Sequence, residues 1–136
     1  MRQLMKQWLL LMLGAGVSLA AAANERAEYL LHCGGCHLPD GRGNPPEVPS
    51  LRSELGEIVA VPGGRSYVVQ VPGASQAPVT DQQLAAIINW ILTEFSSDTL
   101  APGFKPLTAH EVGLVRSQTL ADPLKRREEI WRKYAE

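Results

Sequence analysis

Cys33-Gly34-Gly35-Cys36-His37 is the stretch on which the reading of this chain turns. Cysteines three apart on a helical turn project from one face, so both thiols reach the same edge of a flat ligand, and the next residue delivers an imidazole beneath it. Other uses of a Cys-x-x-Cys pair need further parts. A zinc ribbon needs a second cysteine pair and a finger needs two closely spaced histidines downstream. Cys33 and Cys36 are the only cysteines, and the histidine after His37 is His110. A thioredoxin-like pair opens a helix after a strand, whereas this pair closes an apparent helix. The pattern is the attachment signature of c-type haem, with Cys33 and Cys36 as the covalent thioethers and His37 as the proximal iron ligand.

The amino terminus agrees with that chemistry. Arg2 and Lys6 precede an apolar run from Trp8 to Leu19, and Ala20 to Ala23 offer small-residue cleavage sites. Residues 1–23 are therefore expected to be a cleaved export signal, because the run is shorter than the roughly 20 residues that span a bilayer. An uncleaved anchor is the alternative. The expected location is the periplasm, with no membrane span after cleavage. Without Arg2 and Lys6, 11 basic residues face 14 acidic ones, a net charge of −3. Such a balance gives no footprint for nucleic acid. About 113 residues remain, enough for one small domain.

Outward from the motif, Asn24 to Cys33 is predicted to be a helix, with Ala27, Leu30 and Leu31 on its apolar face. Prolines and glycines between Leu38 and Pro46 turn the chain into loop. By propensity alone, Ser66 to Val71 favours strand. The clearest helix runs from about Asp81 to Phe95, where Leu84, Ile87, Ile88, Ile91, Leu92 and Phe95 repeat at helical spacing behind a Thr80/Gln83 capping box. Thr108 to Glu111 is read as a second capping box, opening a helix that continues through Val112 and Val115. A last helix is expected from Pro123, with i, i+4 pairs Glu128/Arg132 and Glu129/Lys133 and with Ile130 stacked on Tyr134.

This order of parts resembles the class I cytochromes c of bacteria over roughly residues 25–95. Tyr29 lies four residues before Cys33, and Asp40-Gly41-Arg42-Gly43 and Pro49-Ser50-Leu51 follow the histidine. Thr80-Asp81-Gln82-Gln83-Leu84 with Asn89-Trp90 is similar to the family's last core helix. The resemblance implies an all-α cytochrome c-like fold wrapped around one covalent haem c, and it implies helix rather than strand over 66–71. The expected organisation is a signal peptide at 1–23, a cytochrome c domain at 24–106 and a C-terminal helical extension at 107–136.

One departure from the family is informative. Its sixth iron ligand is usually a methionine in the loop before the last core helix, and here that loop is Val71-Pro72-Gly73-Ala74-Ser75-Gln76-Ala77-Pro78. The three methionines of the chain are Met1, Met5 and Met12, all within the expected signal. Several occupants of the distal position stay open. His110 would give a bis-histidine haem of lower potential, though it sits in the first turn of a helix where polar side chains face solvent. His32 is tied too closely to Cys33. Gln76 or Ser75 would offer a weak oxygen donor, directly or through water. An open or water-filled position would admit nitric oxide, carbon monoxide or cyanide, and an open or weakly ligated state is favoured. Arg65 is a candidate partner for a haem propionate through its planar fork, and Tyr67 for a propionate or a distal ligand.

Two functions compete on these residues. The favoured one is a one-electron carrier or haem subunit of a respiratory or dehydrogenase chain, with a periplasmic dehydrogenase, oxidase or other cytochrome as redox partner. The alternative is a haem-based small-ligand binder or sensor. An enzyme ranks last, reduced to a minor peroxidase-like activity, because the distal loop offers only Ser75 and Gln76 as acid or base groups. Lys125, Arg126 and Arg127, with Trp131 and Tyr134, read either as a docking patch for an acidic partner or, preferably, as one face of a helix packed on its own domain.

Overall fold

The structure, a computed structural model, describes residues 24–134. The expected signal at 1–23 lies outside them. The described residues are helical and contain no strand, only an isolated bridge between Asn44 and Val48. Helix α1 covers 24–32 and runs into α2, Gly34–His37. There follow α3 (Glu54–Ala60), α4 (Gly64–Gln70), α5 (Pro72–Ser75), α6 (Asp81–Phe95), α7 (Ala109–Val115) and α8 (Pro123–Tyr134).

Helix α1 forms where expected but turns a different face inward. Ala27, Leu30 and Leu31 are exposed, Leu31 by 74%, while Tyr29 is fully buried. Glu25, Glu28, Tyr29 and His32 make the inner i, i+3, i+4, i+7 stripe. One large aromatic ring on that stripe outweighs two leucines: Tyr29 packs on Trp90 and Phe95 of α6 at centroid distances of 5.2 and 5.3 Å, and its hydroxyl donates to the Leu38 carbonyl at 2.5 Å. That bond fixes the backbone immediately after His37. Gly41 sits at φ 76° against the face of Phe95, where a Cβ would come within 2.7 Å of the ring.

The apolar stripe of α6 is the centre of the core. Leu84, Ile87, Ile88, Ile91 and Leu92 are buried, each worth about 1.5–3 kcal/mol of transfer free energy. The capping box at its start is complete, with the Thr80 hydroxyl accepting from the Gln83 amide and the Gln83 side chain accepting from the Thr80 amide. Residues 66–70 are helical in α4, which ends before Val71, rather than forming a strand. Tyr67, Val68 and Val69 are buried there, so tertiary packing overrides their strand propensity. Gly64 lets the start of α4 pass directly over the end of α3, since a Cβ at that position would lie 1.6 Å from the Ile58 carbonyl oxygen.

The carboxyl-terminal third is tied back by polar groups. The Asn89 side chain pairs with both backbone groups of Leu107, at 2.9 and 2.8 Å. The Thr108 hydroxyl caps α7 by accepting from the Glu111 amide, but the second half of the expected box is missing, because the Glu111 carboxylate is turned onto Arg65. Arg116, just after α7, donates to the carbonyls of Ser75, Ala77 and Val79 and to Asp81, pinning the whole α5–α6 connection. Helix α8 packs on α4 and buries Ile130. Its ion pairs are Arg126 with Glu129 and Arg127 with Glu54, rather than the expected Glu128/Arg132 and Glu129/Lys133. The Tyr134 side chain lies outside what is described.

Candidate functional site

A cavity of about 290 Å³ opens beside α2. One wall carries His32, Cys33, Cys36 and His37 together with Val48, Pro49 and Leu51. Further lining comes from α4, α5 and their junction, Tyr67, Val68, Val71, Pro72, Gly73 and Ala74, with Leu84, Ile87, Ile88 and Ile91 of α6 lining it as well. Leu124 and Arg127 of α8 complete the lining.

The motif residues line this cavity from α2 and the turn before it. Cys33 and Cys36 are both free thiols, Cys33 half-buried and Cys36 exposed. Burial pushes the Cys33 thiol up to about 11, with the neighbouring Cys36 adding to the shift. The His37 Nδ1 lies 3.1 Å from the Pro49 carbonyl oxygen. A proton on Nδ1 serves that bond and leaves the Nε2 lone pair for a metal. Burial lowers the His37 pKa, outweighing the opposite pull of the Pro49 bond, so the imidazole is held neutral. Tyr29, beneath the same turn, is pushed up to about 12 by burial first and by the nearby Cys33 second, and so remains a hydrogen-bond donor.

These residues fit a haem. Two thiols and a neutral imidazole meet on one wall, and the rest of the lining is almost entirely aliphatic, the surroundings a porphyrin requires. The Arg127 side chain, 12% exposed and 2.5 Å from the Glu54 carboxylate, is the cation that would meet a cofactor carboxylate there.

Tyr67 lines the cavity and is 5% exposed. The other four secondary candidates are not brought to it. Arg65, expected at a propionate, instead grips Glu111 at 2.5 and 2.8 Å, donates to the Lys105 carbonyl and lies over the Phe104 ring. Its guanidinium is fully engaged in fastening α7 to α4. His110 is exposed on α7, as the position of a first-turn polar residue requires, and Gln76 is exposed as well. The Ser75 hydroxyl faces Thr119 at 3.0 Å. His32 lines the cavity but pairs with Glu28 one turn back, at 3.3 Å. Sequence reasoning missed the cavity role of Arg127, which it grouped with Lys125 and Arg126 as a docking patch or, preferably, as part of a helix packed on its own domain. The signal was its spacing from Leu124 and Ile130, which puts all three on one face of α8.

The comparisons with known proteins point the same way. The chain is 34% identical to a cytochrome c-552 of Thermus thermophilus over 134 aligned positions, covering 85% of this chain and 90% of the relative. It is 33% identical to a second Thermus thermophilus cytochrome c-552 over 112 positions, covering 69% of this chain and 86% of that relative. No protein-family model matches the chain. With an all-helical fold around a Cys-x-x-Cys-His cavity and relatives of this kind along most of its length, the chain belongs to the c-type cytochromes, which carry covalently attached haem c.

Proposed function

We propose that this cytochrome is an exported one-electron carrier of the periplasm, passing electrons between a dehydrogenase or another cytochrome and an oxidase. The carrying observation is that Cys33, Cys36 and His37 meet on one wall of an apolar cavity, with Cys36 exposed. Bound there, haem supplies a reversible ferric/ferrous couple. Cys33 and Cys36 would hold it through thioether bonds, with Cys36 at the surface where a partner can approach, and His37 would ligate its iron. The aliphatic lining excludes water and limits reorganisation, while Arg127 offsets negative charge. No general acid or base beyond the motif is needed for such a role, and substrate chemistry is not part of it. In the domain reading, residues 24–106 form the haem domain. Residues 107–136 form an extension held to it through Asn89, Glu111, Arg116 and Arg127. A mediated redox titration of the holoprotein tests the assignment. A single reversible one-electron step supports it, and irreversible or multi-electron behaviour sinks it.

A second reading concerns the distal side. The α4–α5 lining carries no methionine or histidine, and the chain has no methionine after Met12. We propose that the protein is an atypical member of its family, with the sixth iron position open or water-filled once the signal is removed. Small-ligand binding is then possible at the same haem. The ferric holoprotein should lack the near-infrared band of methionine-to-iron ligation, and the ferrous form should take up carbon monoxide. A low-spin spectrum indifferent to carbon monoxide would contradict this.

A further inference from the structure

Buried hydroxyls in this protein find partners, with one exception. Tyr29 donates to Leu38 at 2.5 Å and Ser96 donates to Leu51 at 2.6 Å. Tyr67 is also buried, at 5% exposure against 0% for Tyr29 and Ser96, yet its hydroxyl has no hydrogen-bond partner among the described residues. No sealed, unsatisfied side-chain atom occurs among the described residues, so this hydroxyl is not sealed in by protein, and the cavity is what Tyr67 lines. An orphaned donor at such depth is costly unless something in the cavity accepts from it. Of the other hydrogen-bonding side chains around the cavity, His37 is committed to Pro49, His32 to Glu28, Arg127 to Glu54 and Ser50 to Gly41 and Arg52, and Glu47 lies beside Val48 on the loop after the motif. On the α4–α5 lining, Tyr67 alone carries a side chain that can donate, among Val68, Val71, Pro72, Gly73 and Ala74.

We propose that Tyr67 is the recognition group for a small anion bound at the open sixth position of the ferric haem, donating its hydroxyl proton in a hydrogen bond to that anion. The inference rests on the open distal position argued above. Aliphatic neighbours give a charged ligand no other stabilisation on that side, so the single donor selects ligands that accept hydrogen bonds strongly, such as fluoride or azide, over carbon monoxide, which accepts poorly. No bond in Tyr67 breaks, and no electron or proton is transferred in the binding step.

The test uses the haem-loaded full chain and its Tyr67→Phe variant, which keeps the ring and its packing but removes the donor. Ferric protein is titrated with fluoride and with azide, and ferrous protein with carbon monoxide. The expected result is a loss of roughly tenfold to a hundredfold in affinity for both anions in the variant, the scale of one charge-assisted hydrogen bond. Carbon monoxide affinity stays within about twofold, as expected for a ligand that draws little on the donor. The high-spin charge-transfer band of the fluoride adduct should also move, which a purely packing role for the hydroxyl would not cause. Equal anion affinities in the two proteins overturn the proposal while leaving the open position standing. A gain of binding in the variant also overturns it, since Tyr67 would then be an iron ligand itself. Failure of the wild type to bind either anions or carbon monoxide overturns the open position beneath it.

Discussion

The imidazole of His37 and the carbonyl of Pro49 lie 3.1 Å apart, on the two sides of the loop that wraps the haem motif. This bond orients the ring so that its second nitrogen is free for iron, and the Tyr29 hydroxyl bond to Leu38 holds the adjoining backbone. In the ferrous holoprotein, the iron–imidazole stretching band in resonance Raman spectra should therefore disappear in His37→Ala. Persistence of that band would assign the proximal ligand to another residue, His32 first.

Arg116 anchors the connection between α5 and α6 through three carbonyls and Asp81, with its side chain mostly buried. Hydrogen bonds to a charged group contribute about 1.5–3 kcal/mol each in favourable settings, though those made by one side chain do not add fully. Arg116→Ala is expected to destabilise the protein by about 3 kcal/mol in denaturant unfolding. Arg116→Lys should recover little of it, because a single ammonium cannot reproduce the fork.

Acid stability should carry the signature of Glu111. Its carboxyl is held below its ordinary value near 4.5, chiefly by the Arg65 hydrogen bond, against an opposing effect of burial. A depressed carboxylate contributes stability above its unfolded pKa and loses that contribution as pH falls through the folded one. Both side chains are about a third exposed, so solvent screening limits the pair to about 1 kcal/mol. Glu111→Gln should thus cost about 1 kcal/mol near pH 7 and almost nothing once the pH is well below 4.5, measured by unfolding curves across that range. A deficit that persists undiminished in acid would show the contact to be steric rather than ionic.

Gly64 lets two helices touch. A methyl group at that position would collide with the Ile58 carbonyl. Gly64→Ala is expected to cost about 3 kcal/mol or more, as α3 and α4 are forced apart. Thermal unfolding of the variant beside the parent checks the cost, and an unchanged midpoint would show that the two helices can part freely.

The sequence made some of this legible and concealed the rest for identifiable reasons. Helix α6 could be read because six apolar residues keep strict helical spacing behind a complete Thr80/Gln83 cap, so propensity, pattern and capping agree. Helix α4 could not be read from its residues alone. Its Tyr-Val-Val run favours strand locally, and only burial between neighbouring helices makes it helical. The inward face of α1 was hidden for a similar reason: Leu30 and Leu31 are the more apolar residues, but Tyr29 meets the aromatic pair Trp90 and Phe95, which lie far along the chain. Within the site, the motif announced Cys33, Cys36 and His37 because the chemistry fixes their spacing. The spacing of Arg127 from Leu124 and Ile130 marks a shared face of α8, but only the long-range packing of that helix brings the face to the cavity, and Arg65 is kept from it because Glu111, far along the chain, offers a matching fork.

The intact mass of the exported protein after denaturation and acid–organic extraction tests the central claim most directly. Covalent attachment through Cys33 and Cys36 is expected to give the mass of the polypeptide plus one haem, unchanged by extraction, and Cys33→Ala/Cys36→Ala should give polypeptide alone. A wild-type chain that appears at its bare polypeptide mass, with all haem in the organic phase, would contradict the account.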